Sequence, residues 1–410
     1  MAADGDATIW TNWVGNQSFA AHLAAPASED EVVEYVRSAI ASGTGIRAAG
    51  AGHSFTPLIE TSGTVLTTDR LRGVTGIDGA RRQVTALPGT RIGEFGDPLW
   101  EAGLALANQG DIDTQAIAGA VATGTHGSGL QLQSFSAALR ACRIVNGVGE
   151  VVEIDETSPD RLRAAQVAVG MLGVMTSLTL AVAPAYRLVE RIDHRPFGDV
   201  LERWDELFAS HRHFSFFWLP SEGSAKLYGL ATPSGRRMTD TCFVKTYEEA
   251  REGDADDATP GRRVDRGYRI YPMEFEPNFH ELEYMVPAAR GREAVEAMRE
   301  LMLASQPAAI FPMEVRTTAA DDAFLSANYR TPTTVISVSG QPGHDYWDYL
   351  FAVDRLLGRF GARVHWGKLH YLTREQLAER YPESERFIAI RRELDPEGVF
   401  LNQHLRPLFA

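Results

Sequence analysis

Two stretches almost free of side chains constrain this chain more than anything else in it. The first, RAAGAGHSF at 47–55, runs small residues from Ala48 to Gly52 and ends on a histidine, His53. Backbone amides in such a loop can approach a ligand closely, and the imidazole at its end can serve as a nucleophile toward it. Alone, the motif describes equally well a turn followed by a surface or capped histidine. The second stretch, IAGAVATGTHGSG at 117–129, repeats the chemistry of the first.

At 410 residues the chain exceeds one core, so two domains are expected. Residues 28–42 combine an acidic first turn with Val32, Val33, Val36 and Ile40 at helical spacing, which predicts an amphipathic helix. A strand at 46–49 should feed the first loop, and segments at 65–67, 83–86 and 91–95 continue an α+β alternation. Residues 99–106 read as part of another helix. Alternating patterns at 140–145 and 150–154 predict a hairpin turning on Asn146-Gly147, and 178–182 closes the first domain. Past Pro184 aromatics crowd in (Trp204, Phe208, Phe214, Phe216, Phe217, Trp218), which places the domain boundary near 187. The second domain, 188–385, should hold helices at 288–304 and 346–360, strands at 309–316, 334–339 and 363–371, and an irregular surface loop at 251–263. The last segment, 386–410, is expected to return to the first domain through Asn402, Leu405 and Leu408.

Lysine plus arginine at 40 against aspartate plus glutamate at 54 gives a formal charge of −14, which argues against nucleic-acid and anionic-membrane partners. Only Cys142 and Cys242 are present, so neither a disulfide framework nor a cysteine-rich metal site is expected, and a reducing cytoplasm fits best. The opening MAADGDATIW has no basic segment before an apolar one, against a secretory signal. The longest apolar run, 167–182, is broken by Gly170, Gly173, Thr176, Ser177 and Thr179, against a membrane span. No metal is expected, and the sequence leaves the oligomeric state open.

With both loops and the tail in view, the chain resembles the vanillyl-alcohol-oxidase type of FAD-linked oxidoreductase, within it the sugar-lactone and alditol oxidases. The resemblance rests on RAAGAGHSF, NQGDIDTQAIAGAVATGTHGSG at 108–129, GVMTSLTL at 173–180, EVR at 314–316, HWGK at 365–368 and DPEGVFLN at 395–402. It implies a two-domain α+β fold: a PCMH-type (VAO-type) FAD-binding domain and an α+β substrate or cap domain. It also implies FAD bonded covalently through His53. Two unhindered loops would hold the pyrophosphate, with Ala49, Gly50, Ala51, Gly52 and Ser54 in the first. From the second region come Gly110, Asp111, Gly119, Ala122, Thr123, Thr125, His126, Gly127 and Ser128, and from elsewhere Val174 and Asn402. A Rossmann site is not indicated, because AGAGHS runs into Phe-Thr-Pro and not a helical period.

Glu314 and Arg316, two apart on a strand, share a face and read most simply as a surface ion pair; the resemblance instead places them over the flavin, on substrate oxygens. Lys368 and His370 share one alternation of the HWGK strand and would extend the same wall, with a polar ladder on an edge strand as the plain alternative. His126 could bond the ligand or satisfy backbone carbonyls. Two departures bear on substrate. Alditol oxidases of the group carry Ala-Ser where Gly110-Asp111 stand, so Asp111 would bring a negative charge to the substrate. The strand from Val335 also lacks a histidine near Ser339, a second substrate-facing candidate.

The expected reaction is oxidation of a C–OH group on a sugar-derived lactone, polyol or similar small alcohol, by hydride transfer to flavin N5. Glu314, His370 or Lys368 is the base, and O2 (giving H2O2) or another acceptor takes the electrons. Gly110 would let O2 reach the flavin. An oxidase of aromatic, nucleoside or larger alcohols on the same fold, and a non-catalytic flavin-binding protein, are the alternatives.

Overall fold

The Ser28 hydroxyl accepts the Glu31 N–H at 3.2 Å and starts the first helix, Glu29–Ser42, which buries Val32, Val36 and Ala39 and ends on Gly43 at φ +64°. This helix opens a computed structural model that describes residues 7–305 and 307–410. Residues 1–6, on which part of the expectation about a leader rests, lie outside the described residues. Among the described residues no helix is long and apolar enough to cross a membrane.

Two sheets occupy the N-terminal part. A four-stranded sheet runs in the order Thr8–Thr11, Ser18–Ala24, Thr64–Thr67, Ile46–Ala49, its last pair parallel, so the strand before the first glycine loop is paired along its length. A five-stranded antiparallel sheet runs Val74–Asp78, Gln83–Ala86, Val174–Ala181, Leu139–Val145, Val151–Ile154. Local differences from the sequence reading have simple causes. Residues 92–95 form a 3-10 turn leading into the helix Gly96–Glu101, and Gly103 at φ +73° ends that helix before a two-residue strand, Leu104–Ala105. The hairpin turns across residues 146–149, where the Gly149 N–H donates to the Asn146 carbonyl at 3.0 Å, but the positive φ (+74°) falls on Gly149 and not on Asn146-Gly147. Asn146 Oδ1 accepts the N–H groups of Val148 and Glu150, and Gly147 lies against Asp395.

From Arg187 onward the chain builds an eight-stranded sheet in the order Val264–Arg266, Arg187–Pro196, Thr241–Glu249, His213–Leu219, Met313–Thr318, Thr333–Gly340, His280–Pro287, Arg363–Val364. Its central strands alternate. Leu282, Tyr284, Val315, Ile336 and Val338 share the main apolar cluster with Ala294, Val295 and Met298 of helix Gly291–Ser305 and Leu350, Val353 and Leu357 of helix Trp347–Gly358. The intervening positions carry Glu281, Glu283, Glu314, Arg316 and Lys245. The register aligns Glu283, Ser337, Glu314, Phe217 and Phe243 as one row across five strands. Trp204, Phe208, Phe214, Phe216 and Trp218 are core residues.

The C-terminal segment returns to the first glycine loop. Asn402 Nδ2 donates to the carbonyls of Pro57 (2.7 Å) and Glu60 (3.0 Å), and Leu405 and Leu408 are buried. Arg47, itself buried, donates to the carbonyls of Leu58, Val169, Gly170 and Phe400, joining four distant pieces of backbone.

Candidate active site

The two glycine loops face each other across a long cleft with a void of about 1120 Å³, open solvent included. Gly50, Ala51, Gly52, His53 and Ser54 line one side; Gly119, Ala122, Thr123 and Thr125 line the other. Gly50 passes so near Ala116 that a Cβ would sit 2.7 Å from that residue's own, and Gly52 takes φ +69°, so these positions have little room for any other residue.

His53 stacks on Trp13 with ring centroids 4.7 Å apart. Its Nε2 lies 3.4 Å from Thr114 Oγ1, while Nδ1 is buried with no hydrogen-bond partner among the described residues. Burial first, then the charges of Lys368 and Arg91, push its pKa down to about 4. The ring is therefore neutral at physiological pH with a lone pair free, the state a nucleophilic nitrogen needs.

A second, smaller cavity of about 580 Å³ adjoins this cleft, with Gln115, Thr125, His365 and Lys368 lining both. Gly110, Asp111, His126, Glu281, Glu283, Glu314 and Arg316 give it polar walls, and Tyr228, Phe275 and Phe279 close it with rings. Arg316 is fixed from several sides: Nη1 donates to Asp111 at 3.0 Å, and Nη2 meets Glu283 and lies 3.5 Å from Glu314. Burial opposes the charge on Arg316, but these three carboxylates outweigh it and hold its pKa well above the ordinary value. Asp111 also receives Lys245 at 3.3 Å; against the cost of burial, Lys245 and Arg316 keep its carboxyl below the usual range. Glu283 likewise overcomes burial through Arg316, His126 and His365, and is held well below. Glu314 goes the other way. Burial raises its pKa to about 8, against the pull of Arg316, and its Oε1 has no partner among the described residues. The pair is thus no surface salt bridge.

Other expected site residues stand elsewhere. Ala49 and Val174 belong to apolar clusters, while their neighbours Ala48, Gly173 and Met175 line the cleft. Gly127 backs onto the Gln109 carbonyl, Ser128 Oγ accepts from Tyr271, and Asn402 holds the loop backbone from outside. Ser339 is hydrogen-bonded to Tyr228, which does line the pocket, at 2.5 Å. His370 lines neither cavity. It packs on Trp366 and His404, because the strand of 363–371 expected from the sequence stops at Val364 and 365–368 is a turn.

That turn brings His365 to the site in place of His370. Lys245, Glu281 and Glu283 were also not singled out. Their signal was present: ELEYM at 281–285 alternates acid with apolar residues, a pattern that on a buried strand marks a pocket wall. His126, Glu283 and His365 place two imidazoles and a carboxylate within 4.8 Å of one another. Most of their ligating atoms are committed, however. His126 lies 3.1 Å from Glu283, Glu283 also accepts from Arg316, and His365 Nδ1 accepts the Gly367 N–H, so the trio is a hydrogen-bonded wall.

An FAD-binding-domain model matches residues 20–155, and the D-arabinono-1,4-lactone oxidase model matches 178–245 and 228–408. An L-gulono-1,4-lactone dehydrogenase of Mycobacterium tuberculosis is 34% identical over 97% of this chain and 98% of its own length. The chain belongs to the D-arabinono-1,4-lactone oxidase family. Also similar is an alditol oxidase of Streptomyces, 30% identical over 98% of this chain and 99% of its own. A solvent-stable cholesterol oxidase shares the fold at a TM-score of 0.86 and 16% identity, covering 99% of this chain and 98% of that one. Members of this family are FAD-linked oxidoreductases of the PCMH-type, two-domain fold, and the cleft accommodates that cofactor: two facing loops of bare backbone, a long void, and a neutral buried imidazole with an unpartnered nitrogen.

Proposed function

We propose that this protein oxidises a C–OH group of an uncharged sugar lactone or polyol, using FAD tethered through His53 in the glycine-loop cleft. The observation that carries the reading is the shared wall: the cofactor cleft opens directly onto a polar pocket, with His365 and Lys368 lining both. The names of the relatives, sugar-lactone and alditol enzymes, support the substrate class. Bound FAD supplies a two-electron acceptor for the hydride leaving carbon.

The chain's own residues do the rest. Arg316, held by three carboxylates, and Lys368, held by Glu281, orient the hydroxyls. Of the three candidate bases, His370 stands outside the pocket and Lys368 is engaged. Glu314, with a free oxygen and a pKa near 8, takes the hydroxyl proton. The charge of Asp111 is spent on Lys245 and Arg316, so it positions Arg316 and leaves room for a neutral substrate. Tyr228, Phe275 and Phe279 exclude water. At Gly110 an added Cβ would meet nothing nearer than 3.6 Å, space that favours access of O2, and we assign O2 as the acceptor. The free thiols Cys142 and Cys242, both buried, support a cytoplasmic setting.

Anaerobic mixing of the yellow protein with lactones, alditols, aldoses and aromatic alcohols tests this. Bleaching by lactones or alditols, with peroxide formed once air is admitted, is expected. Bleaching by aromatic alcohols alone, or by none of the panel, overturns it, and bleaching without peroxide overturns the assignment of O2.

A further inference from the structure

We propose that His365 is a fixed, neutral hydrogen-bond donor at the junction of the two cavities, presenting its Nε2–H to the oxygen of the alcohol under oxidation. The inference rests on the functional reading above for the identity of that oxygen, and on backbone geometry for the rest.

The HWGK segment is a turn. The His365 N–H donates to the Glu283 carbonyl at 3.0 Å and the Lys368 N–H to the His365 carbonyl at 3.0 Å, so the chain folds back within four residues. Inside the turn the Gly367 N–H donates to His365 Nδ1, also at 3.0 Å. A ring nitrogen that accepts carries no proton, so the neutral imidazole must bear its hydrogen on Nε2. The turn cannot relax away from this arrangement. The Phe55 N–H holds the Gly367 carbonyl at 2.7 Å, Thr56 Oγ1 holds that of Trp366 at 3.1 Å, and the Trp366 indole donates to Leu325 at 2.7 Å. Gly367 is needed for the close approach: a Cβ there would sit 3.3 Å from both His365 Cε1 and Ser54 Oγ.

Several donors of the pocket already have partners: Lys368 on Glu281, Lys245 on Asp111, and Arg316 through its two Nη groups on Asp111 and Glu283, while Arg316 Nε has none among the described residues. The His365 ring lines both cavities, and with Nδ1 taken by the Gly367 N–H its Nε2 is the ring nitrogen left to donate. Glu283, Lys368, His126 and Arg316 surround it, and burial lowers its pKa to about 3 against the opposing pull of Glu283, so the ring is neutral.

A donor of this kind suits the reaction. The C–H hydrogen leaves with its electron pair to the flavin, the hydroxyl proton passes to the Glu314 carboxylate, and the O–H pair becomes the second C–O bond. Negative charge builds on the oxygen between the two transfers. A neutral N–H stabilises that charge without surrendering its proton, whereas an imidazolium would compete to reprotonate the oxygen. The Nε2–H bond stays intact throughout.

Ring-¹⁵N-labelled holoprotein, with the His365 signals assigned by their loss in His365→Asn, tests the tautomer by itself. Nδ1 is expected in the unprotonated range and Nε2 in the protonated range, without change from pH 8 to pH 5. An Nδ1–H tautomer, or conversion to imidazolium in that interval, overturns the proposal. The role is tested by anaerobic bleaching with whichever substrate reduces the unvaried protein. In His365→Asn the side-chain oxygen can still accept the Gly367 N–H but the ε donor is gone, and reduction should slow by ~10²-fold with the flavin spectrum retained. His365→Gln, whose amide reaches the ε position, should recover part of the loss. An unchanged rate in His365→Asn overturns the donor role. Unvaried protein that no lactone or polyol bleaches counts against the functional reading and leaves the nitrogen shifts to decide the tautomer.

Discussion

Lys245 meets Asp111 at 3.3 Å across 134 residues of sequence, and the same carboxylate takes Arg316 at 3.0 Å. An acid that sequence alone would aim at the substrate is instead neutralised from two sides. Lys245→Met leaves a buried carboxylate with one partner and should cost roughly 3–5 kcal/mol of stability. Denaturant titration measures it. The double variant Lys245→Met with Asp111→Asn should recover part of that loss, and strict additivity would show the two groups to be uncoupled.

Glu314 gives the pH dependence. Its folded pKa of about 8 exceeds its ordinary value of 4.5, so the folded protein binds this proton more tightly than the unfolded chain. Its contribution to stability is therefore full below about pH 4.5 and is lost as pH rises toward about 8. Glu314→Gln should remove that slope from a series of denaturant titrations. Activity runs oppositely: the rate of flavin reduction should climb with pH and level above about 8, a limb absent from Glu314→Gln.

His53 should decide how the cofactor is held. Acid-denatured protein is expected to keep its yellow colour in the pellet, and His53→Ala to release FAD to the supernatant. Free FAD from the unvaried chain refutes the tether.

The roles proposed for Lys368 and Arg316 concern substrate and not cofactor retention. Lys368→Met and Arg316→Met should each slow flavin reduction by ~10²-fold or more while the denatured protein stays coloured. His370→Phe, changed outside both cavities, should reduce at the unvaried rate. A loss there comparable to that of Lys368→Met would return His370 to the wall.

What was legible in the sequence was whatever local chemistry determines. Ser28 capping its helix, the bare loops around His53 and Thr125, and the two-residue spacing of Glu314 and Arg316 all depend on neighbours in the chain. What was not legible depended on partners far away. Period-2 alternation put His370 beside Lys368, but the amide of Gly367 captured His365 and turned the strand, exchanging one histidine for the other. Lys245 and Glu283 look like solvent-facing charges until strand register sets them around Arg316. Asn146-Gly147 has the composition of a tight turn, yet Asp395, from the far end of the chain, takes the space beside Gly147.

Arg47 binds the Phe400 carbonyl across 353 residues, and the same guanidinium ties down the loops beside the cleft. That distance is also an interval of time. At about 5–20 residues per second, ribosomal synthesis delivers Phe400 roughly 20–70 s after Arg47. Throughout that interval Arg47 lacks one of its four carbonyl partners, and the backbone after the glycine loop lacks the Asn402 amide that holds Pro57 and Glu60, so the walls of the cleft take their final form only after Phe400 and Asn402 have been made.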